Sequence, residues 1–122
     1  MKKILFVDDA VEMRQLLEAT FGSKEYQIFE AEDGIQAVEI SLREKPDIII
    51  MDIEMPGLNG IEATQRIKAN PETAVSRIII VSGSRRDRSV EKCLEAGAEA
   101  YISKPYSPLE LIDKVENGAG HA

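Results

Sequence analysis

The chain has 122 residues and a mass of 13.5 kDa, which is the size of one ordinary domain. Hydrophobic residues make up 43% of it and charged residues 30%, a balance typical of a globular protein and not of a disordered tail. The net charge of −7 argues against sequence-independent binding to nucleic acid or to an anionic membrane, since both require clustered Lys and Arg. We therefore expect a protein partner, or an anionic ligand that is accompanied by a cation.

Neither a membrane segment nor a secretory signal is visible in the sequence. No apolar stretch reaches the roughly 18 residues that span a bilayer. The apolar run behind the opening Met-Lys-Lys is interrupted by two aspartates after four residues. The single cysteine, Cys93, cannot form an internal disulfide. These features predict a cytoplasmic protein without membrane insertion.

Short β-rich apolar runs alternate five times with segments of helical periodicity. This alternation predicts an α/β fold with a doubly wound parallel sheet and helices on both faces. The second run alternates apolar and polar residues, as an edge strand does, whereas the third is apolar almost throughout and requires burial on both faces. The predicted strands are residues 4–7, 27–31, 47–52, 77–81 and 100–103.

Local signals delimit the helices between these strands. Gly22, Pro46 and Gly97 end the first, second and fourth helices. Ser107 is predicted to cap the last helix, with Glu110 three residues on completing a capping box. The positions expected on the inward helix faces are Val11, Met13, Leu16, Leu17, Phe21, Ala37, Val38, Ile40, Leu42, Ile61, Thr64, Ile67, Val90, Cys93, Leu94, Leu111, Ile112 and Val115.

The domain is predicted to occupy residues 1–117, followed by a flexible tail at 118–122. The Gly-rich tail could be a natural end or the start of a linker. A stand-alone protein and a domain excised from a larger one are therefore both open.

Polar side chains stand at the carboxyl ends of four predicted strands. They are Asp8 and Asp9 after the first, Asp52 at the third, Ser82 after the fourth and Lys104 after the fifth. In a doubly wound sheet ligands lie beyond these ends, so we expect the side chains to face one crevice. Unpaired carboxylates ~4 Å apart repel by roughly 4 kcal/mol at an effective dielectric constant of about 20. The cluster therefore predicts a bound cation.

Mg²⁺ is the cation that best suits these donors. It takes one or two carboxylates, keeps several waters and leaves positions for phosphate oxygens. Cys and His ligands for a softer metal are missing from the strand ends. With such an ion in place, one carboxylate can act as a nucleophile toward a phosphoryl group while a lysine offsets charge on its oxygens. Lys104 and Ser82 fit the supporting roles.

The residues at the strand ends form an ordered set that is more specific than any of its members. The set is Asp8-Asp9, Asp52 with the turn Met55-Pro56-Gly57, Ser82, and Lys104-Pro105. It resembles the receiver domain of bacterial two-component response regulators, the group that includes single-domain chemotaxis regulators. The resemblance covers about residues 2 to 117. It implies a flavodoxin-like strand order of 2-1-3-4-5.

The resemblance also implies a metal site and a phosphoacceptor. Asp52 would accept the phosphoryl group. Asp8 and Asp9 would hold Mg²⁺ together with Asp52, and the backbone carbonyl of Glu54 would be a further ligand. The phosphoryl donor would be a sensor histidine kinase or a histidine phosphotransfer protein.

Three further residues take part in the implied response. Lys104 would contact one phosphoryl oxygen and Ser82 another, and Tyr101 would be the switch aromatic that turns inward when the Ser82 hydroxyl is engaged. Pro105 would follow a cis peptide bond. A downstream target protein would bind the face formed by the fourth helix, the fifth strand and the fifth helix. Such a protein is a signalling module and not a turnover enzyme, although it helps to catalyse its own phosphorylation and slow dephosphorylation.

The main alternative is a Mg²⁺-dependent phosphohydrolase with an aspartyl nucleophile. Enzymes that resemble haloacid dehalogenases need an Asp-x-Asp pair after the first strand, whereas Asp8-Asp9 is followed here by Ala10. They also need a cap over the substrate, for which 122 residues leave little room. A flavin-binding protein of the same topology would need a hydroxyl- and glycine-rich phosphate loop after the first strand, and this loop is missing. A receiver excised from a larger regulator or a hybrid kinase also stays open.

Overall fold

The computed structural model describes residues 1–22, 26–83 and 87–118, except for the side chains of residues 87–89. Within this range strands and helices alternate along the whole chain. The strands are β1 (Lys2–Val7), β2 (Tyr26–Ala31), β3 (Ile48–Asp52), β4 (Arg77–Ser82) and β5 (Ala100–Ser103). The helices are α1 (Val11–Phe21), α2 (Gly34–Glu44), α3 (Gly60–Ala69), α4 (Asp87–Ala96) and α5 (Pro108–Asn117).

The five strands form one parallel sheet in the order β2-β1-β3-β4-β5. This confirms the predicted fold class and strand order. β2 lies at an edge, as its alternating pattern predicted, and β3 lies at the centre. All five residues of β3 are buried, which explains why its sequence is a continuous apolar run up to Asp52.

Each face of the sheet packs against its own set of helices. Ile49 and Met51 of β3 belong to a core cluster that includes residues of α2, α3 and α4. Ile48 and Ile50 point the other way, into a cluster with residues of α1 and α5. Successive side chains of a strand point to opposite faces, so one apolar strand serves both cores.

Four of the predicted inward positions are exposed, and their exposed fractions range from 40% to 48%. They are Val11, Leu16, Leu42 and Leu94. In α1 the buried residues are instead Arg14, Leu17 and Phe21. These have the i, i+3, i+7 spacing of one helix face. The positions of the apolar residues in α1 therefore predicted its buried face poorly, because the first residue of the buried stripe of Arg14, Leu17 and Phe21 is an arginine.

Side-chain caps fix the starts of three helices near the carboxyl edge of the sheet, α2, α3 and α5. The backbone N–H of Glu110 donates to Ser107 Oγ at 3.1 Å, which is the Ser107 half of the capping box predicted for α5. A reciprocal capping box is present at α3, between Asn59 and Glu62. The cap at α3 holds the end of the loop that leads away from Asp52.

α5 ends at Asn117, and of the predicted tail only Gly118 lies within the described residues. Among the described helices, none combines the length and the apolar character needed to cross a bilayer.

Candidate functional site

The carboxyl ends of four strands lie side by side and carry the candidate site residues. Asp52 is the last residue of β3 and Ser82 the last of β4, while Asp8 and Lys104 directly follow β1 and β5. The parallel register aligns these ends. The backbone N–H of Lys104 donates to the carbonyl oxygen of Ser82 at 2.8 Å. This bond continues the β4–β5 pairing past the strand and places Lys104 next to Ser82.

The three acids at this edge form one cluster. Asp8, Asp9 and Asp52 each contribute a carboxylate oxygen, and these oxygens all lie within 4.8 Å of one another. Asp8 is 4% exposed and Asp52 is 8% exposed, whereas Asp9 is open to solvent. The site is therefore a cluster of two buried carboxylates and one that faces the entrance.

Lys104 is the cation that faces the buried acids. Its Nζ lies 3.3 Å from Asp8 Oδ2 and 3.5 Å from Asp52 Oδ2. The peptide bond between Lys104 and Pro105 is cis, as the resemblance implied. An ammonium thus already lies between the two carboxylates that a metal ion would share.

The second oxygen of each buried carboxylate is held by the backbone. The N–H of Ala10 donates to Asp8 Oδ1 at 2.9 Å, and the N–H of Glu54 donates to Asp52 Oδ1 at 3.2 Å. In both cases an aspartate accepts from the residue two positions on, which is the geometry of an Asx turn. These bonds orient each carboxylate so that its other oxygen faces Lys104.

Burial makes the charge on Asp52 costly. It raises the pKa of Asp52 above its ordinary value, the nearby Lys104 ammonium lowers it, and the negative charge of Asp8 raises it again. Burial, followed by the charge of Asp8, also raises the pKa of Tyr106 to about 12. A bound cation would relieve the cost at Asp52.

The remaining candidate residues surround this cluster at different depths. Glu54 is exposed directly beyond β3, and Ser82 is fully buried. Tyr101 lies in β5, half-buried against the core that includes α2, α3 and α4. The sheet thus places the Ser82 hydroxyl on β4, the strand next to that of Asp52, and the Tyr101 ring on β5, one strand further from Asp52.

Arg14 belongs to the site but was missed by the sequence analysis. Its Nη1 donates to the carbonyl oxygen of Asp8 at 2.7 Å, and its Nε donates to Glu30 Oε1 at 2.9 Å. The available signal was its helical spacing with Leu17 and Phe21, which places it on the inward face of α1. A charge on such a face requires a partner.

The donor set fits a hard divalent ion. It consists of carboxylate oxygens, two of them on buried residues, with an exposed third that leaves one side open to water. Mg²⁺ prefers a few carboxylates and several waters, whereas softer metals prefer nitrogen and sulfur. The position of the Lys104 ammonium shows that a cation between Asp8 and Asp52 is electrostatically favourable.

A family model described as the response regulator receiver domain matches residues 4–116. The chain belongs to this family. The receiver domain is 36% identical over 115 residues to sporulation initiation phosphotransferase F of Bacillus subtilis, covering 94% of this chain and 91% of that protein. It is 38% identical over 117 residues to chemotaxis protein CheY of Halobacterium salinarum, covering 95% of both.

Solved structures show the same fold. The receiver domain of a sensor histidine kinase from Pseudomonas aeruginosa superposes with a TM-score of 0.88 at 32% identity, covering 98% of both chains. That protein was solved with a magnesium ion coordinated in its active site cleft. The response regulator domain of Thermotoga maritima CheB superposes with a TM-score of 0.87 at 34% identity, covering 97% of this chain and 96% of that one.

Membership of this family makes the protein a phosphoacceptor module of two-component signal transduction. Receiver domains are signalling modules that bind a metal at an acidic pocket and work with histidine kinases and downstream targets. The phosphohydrolase alternative is not favoured.

Proposed function

We propose that Asp52 is the residue that accepts the phosphoryl group, and that Asp8, Asp9, Asp52 and the backbone carbonyl of Glu54 hold Mg²⁺ for this reaction. The observation that supports the assignment is the cluster itself, with three carboxylates within 4.8 Å of one another. Asp52 is the only one of the three that lies in the central strand, between the acids that follow β1 and the hydroxyl that ends β4.

Bound Mg²⁺ would offset the negative charge of the acids and of the incoming phosphoryl oxygens. A carboxylate oxygen of Asp52 attacks phosphorus, and the new O–P bond forms as the P–N bond to the donor's phosphohistidine breaks. The electron pair of the P–N bond stays on the imidazole nitrogen. The other ring nitrogen carries a proton, so neutral imidazole leaves. The domain catalyses only its own phosphorylation and the slow hydrolysis of the acyl phosphate on Asp52.

Lys104 lies where its ammonium can stabilise negative charge on Asp52 before the transfer and on a phosphoryl oxygen after it. Its ammonium lies 3.5 Å from Asp52 Oδ2. When Asp52 becomes an acyl phosphate, negative charge moves outward onto the phosphoryl oxygens, and Lys104 needs to move only a short distance to contact one of them. The Ser82 hydroxyl would donate to another.

The response would pass from Ser82 to Tyr101. The two residues lie on adjacent strands, β4 and β5, and Tyr101 is half-buried against the core, so part of its ring is still exposed and would be buried if it turned inward. Phosphorylation would shift an existing equilibrium between two arrangements of this face. A downstream protein would read the change at α4, β5 and α5. The domain of residues 1–117 would act in the cytoplasm, with a histidine kinase or a histidine phosphotransfer protein as donor.

Phosphate incorporation from acetyl phosphate in the presence of Mg²⁺ tests the assignment of Asp52. Wild type should gain one phosphoryl group, and borohydride should convert the labelled residue 52 to homoserine. Asp52→Asn should gain none. Asp113→Asn, which changes an exposed acid of α5, should be labelled like wild type. Labelling of Asp52→Asn at the wild-type level would refute the assignment.

The partners can be identified by affinity capture with and without beryllium fluoride, which mimics the phosphoryl group. A target of the activated state should bind only when beryllium fluoride and Mg²⁺ are both present. Tyr101→Ala should reduce this difference while leaving labelling of Asp52 intact. Unchanged target binding by Tyr101→Ala would contradict the proposed switch.

A further inference from the structure

Arg14 is a charged residue in the buried stripe of α1, and only 9% of it is exposed. Burying a guanidinium is costly unless it is paired, and an apolar side chain would fill the same space without that cost. The other buried side chains of the stripe, Leu17 and Phe21, are apolar. Packing alone therefore does not explain an arginine here.

The contacts of Arg14 lead to the acid cluster. Nη1 donates to the backbone carbonyl of Asp8 at 2.7 Å. Nε donates to Glu30 Oε1 in β2 at 2.9 Å, and Nη2 lies 3.9 Å from Glu32 Oε1. The guanidinium is thus held by β2 while it holds the turn that follows β1.

The carbonyl that Arg14 binds belongs to the peptide bond between Asp8 and Asp9. Because a peptide unit is planar, fixing its oxygen fixes the directions in which the chain leaves toward both aspartates. The other sides of Asp8 are held as well, since its N–H donates to Ala31 O at 3.1 Å and its Oδ1 accepts from Ala10 N at 2.9 Å. Arg14 adds the hold on the carbonyl side.

We infer that Arg14 is a positioning residue for the cation site, which locks the Asp8-Asp9 peptide so that both carboxylates point into the cluster. The inference rests on the proposed function, in which these two acids hold Mg²⁺. It extends the site to the edge strand β2, which supplies Glu30 but none of the residues proposed to contact the metal or the phosphoryl group.

Charge and positioning would affect the cation in opposite directions. The positive charge of Arg14 opposes a nearby cation, so removing the charge alone would strengthen Mg²⁺ binding. Loss of positioning should dominate, because it misplaces the ligand carboxylates themselves, whereas Arg14 contacts the Asp8 carbonyl and Glu30 and none of the carboxylates proposed to hold the ion. Removing a residue that holds a metal ligand typically weakens metal binding roughly 10- to 100-fold.

Calorimetric titration of the full chain with Mg²⁺, without a phosphoryl donor, tests the inference. Arg14→Met should raise the Mg²⁺ dissociation constant about tenfold or more. Arg14→Lys should raise it less than Arg14→Met, because an ammonium can still donate to the Asp8 carbonyl. It should not restore the wild-type value, because one ammonium cannot donate to this carbonyl and to Glu30 with the geometry of a guanidinium. The matched control is Arg43→Met, which removes the same charge from an exposed side chain of α2 that bonds to Glu44. It should leave Mg²⁺ binding unchanged.

Thermal unfolding without Mg²⁺ shows which variants are folded at the titration temperature. A purely structural Arg14 would lower the unfolding temperature and leave the dissociation constant of the folded protein unchanged, and that result would overturn the inference. Tighter Mg²⁺ binding would overturn it too. If Arg14→Met does not fold, Arg14→Lys takes its place, and a dissociation constant for Mg²⁺ equal to that of wild type would overturn the inference. Absence of Mg²⁺ binding by wild type would refute the proposed metal site and this inference together, whereas equal binding by wild type and a folded Arg14 variant refutes the inference alone.

Discussion

Asp52 is a carboxylate that the metal-free fold keeps at an energetic cost. It is 8% exposed, and burial together with the charge of Asp8 raises its pKa, against the opposing effect of Lys104. Replacing it with Asn removes the charge and nearly preserves the shape. We therefore expect Asp52→Asn to unfold at a higher temperature than wild type when no Mg²⁺ is present.

The distances in the cluster set the size of the effect. Two unit charges 4.8 Å apart, the outer limit here, repel by about 3.5 kcal/mol at an effective dielectric constant of about 20, and Asp52 faces two such partners. Lys104 at 3.5 Å offsets about 4.7 kcal/mol on the same scale. Solvent around Lys104 and Asp9 screens part of both effects. The free energy of unfolding of Asp52→Asn should therefore exceed that of wild type by a net amount on the order of 1–2 kcal/mol. Each 1 kcal/mol raises the unfolding midpoint by roughly 3–5 °C in a domain of this size.

The effect should also depend on pH with a defined sign. Folding raises the pKa of Asp52, so the folded state binds its proton more tightly than the unfolded state does, and protonated Asp52 favours folding. This contribution is complete below the unfolded value of 3.8 and is lost as the pH rises through the folded pKa. The Asn variant should therefore show its full advantage at neutral pH, and the gap should close as the pH falls toward 3.8.

Calorimetric unfolding in a chelator, over a series of pH values, measures both effects. Asp113→Asn is the control for removing one negative charge from a chain of net charge −7. Adding Mg²⁺ should stabilise wild type more than the Asp52 variant, because a ligand stabilises the state that binds it. A lower unfolding temperature for Asp52→Asn at neutral pH without Mg²⁺ would refute the view that clustered charge destabilises the fold.

Three further substitutions probe the surroundings of the site. Gly60→Ala would place a Cβ against the carbonyl oxygen of Asp52, so urea unfolding should show a loss of about 2 kcal/mol and acetyl phosphate should label the variant more slowly. Lys104→Met should lower the stability of the metal-free protein by about 2 kcal/mol, because the acids on either side lose their shared cation. Addition of Mg²⁺ should then raise its unfolding temperature more than that of wild type. Arg77→Met removes hydrogen bonds to a carboxylate and to two carbonyl groups of α5. It should cost roughly 1–2 kcal/mol, expose the end of α5 to hydrogen exchange, and leave the Mg²⁺ dissociation constant unchanged.

Much of the fold was predictable because the continuous apolar sequence of β3 matches its central, buried place in the sheet. A run of β-branched apolar residues that ends in an aspartate predicts a strand buried on both faces with its polar end at the sheet edge, and this is the structure that residues 48–52 adopt. Helix faces were less predictable. Leu16 is apolar yet 48% exposed, and Arg14 is charged yet buried, because the inward face of α1 is set by what the sheet and β2 present to it.

The site could be predicted as a set of residues but not as a set of contacts. Strand ends placed Asp8, Asp52 and Lys104 at one edge, since parallel strands end together. That Lys104 Nζ lies within 3.5 Å of both acids depends on how the turn after β5 crosses the sheet edge. Nothing in the spacing of the sequence gives that distance. The hold of Arg14 on the Asp8 carbonyl depends likewise on the docking of α1.

The charges of the site explain why metal and phosphoryl group depend on each other. Three carboxylates and one ammonium leave an excess of negative charge at the strand ends, and a phosphoryl donor that brings further negative charge would be repelled by it. Asp8, Asp9 and Asp52 would hold a divalent cation, which would supply the positive charge that offsets this excess. Lys104 Nζ lies 3.3 Å from Asp8 Oδ2 and 3.5 Å from Asp52 Oδ2, so with these acids neutralised its ammonium would be available to a phosphoryl oxygen. A variant without this lysine should therefore lose transfer while still binding Mg²⁺.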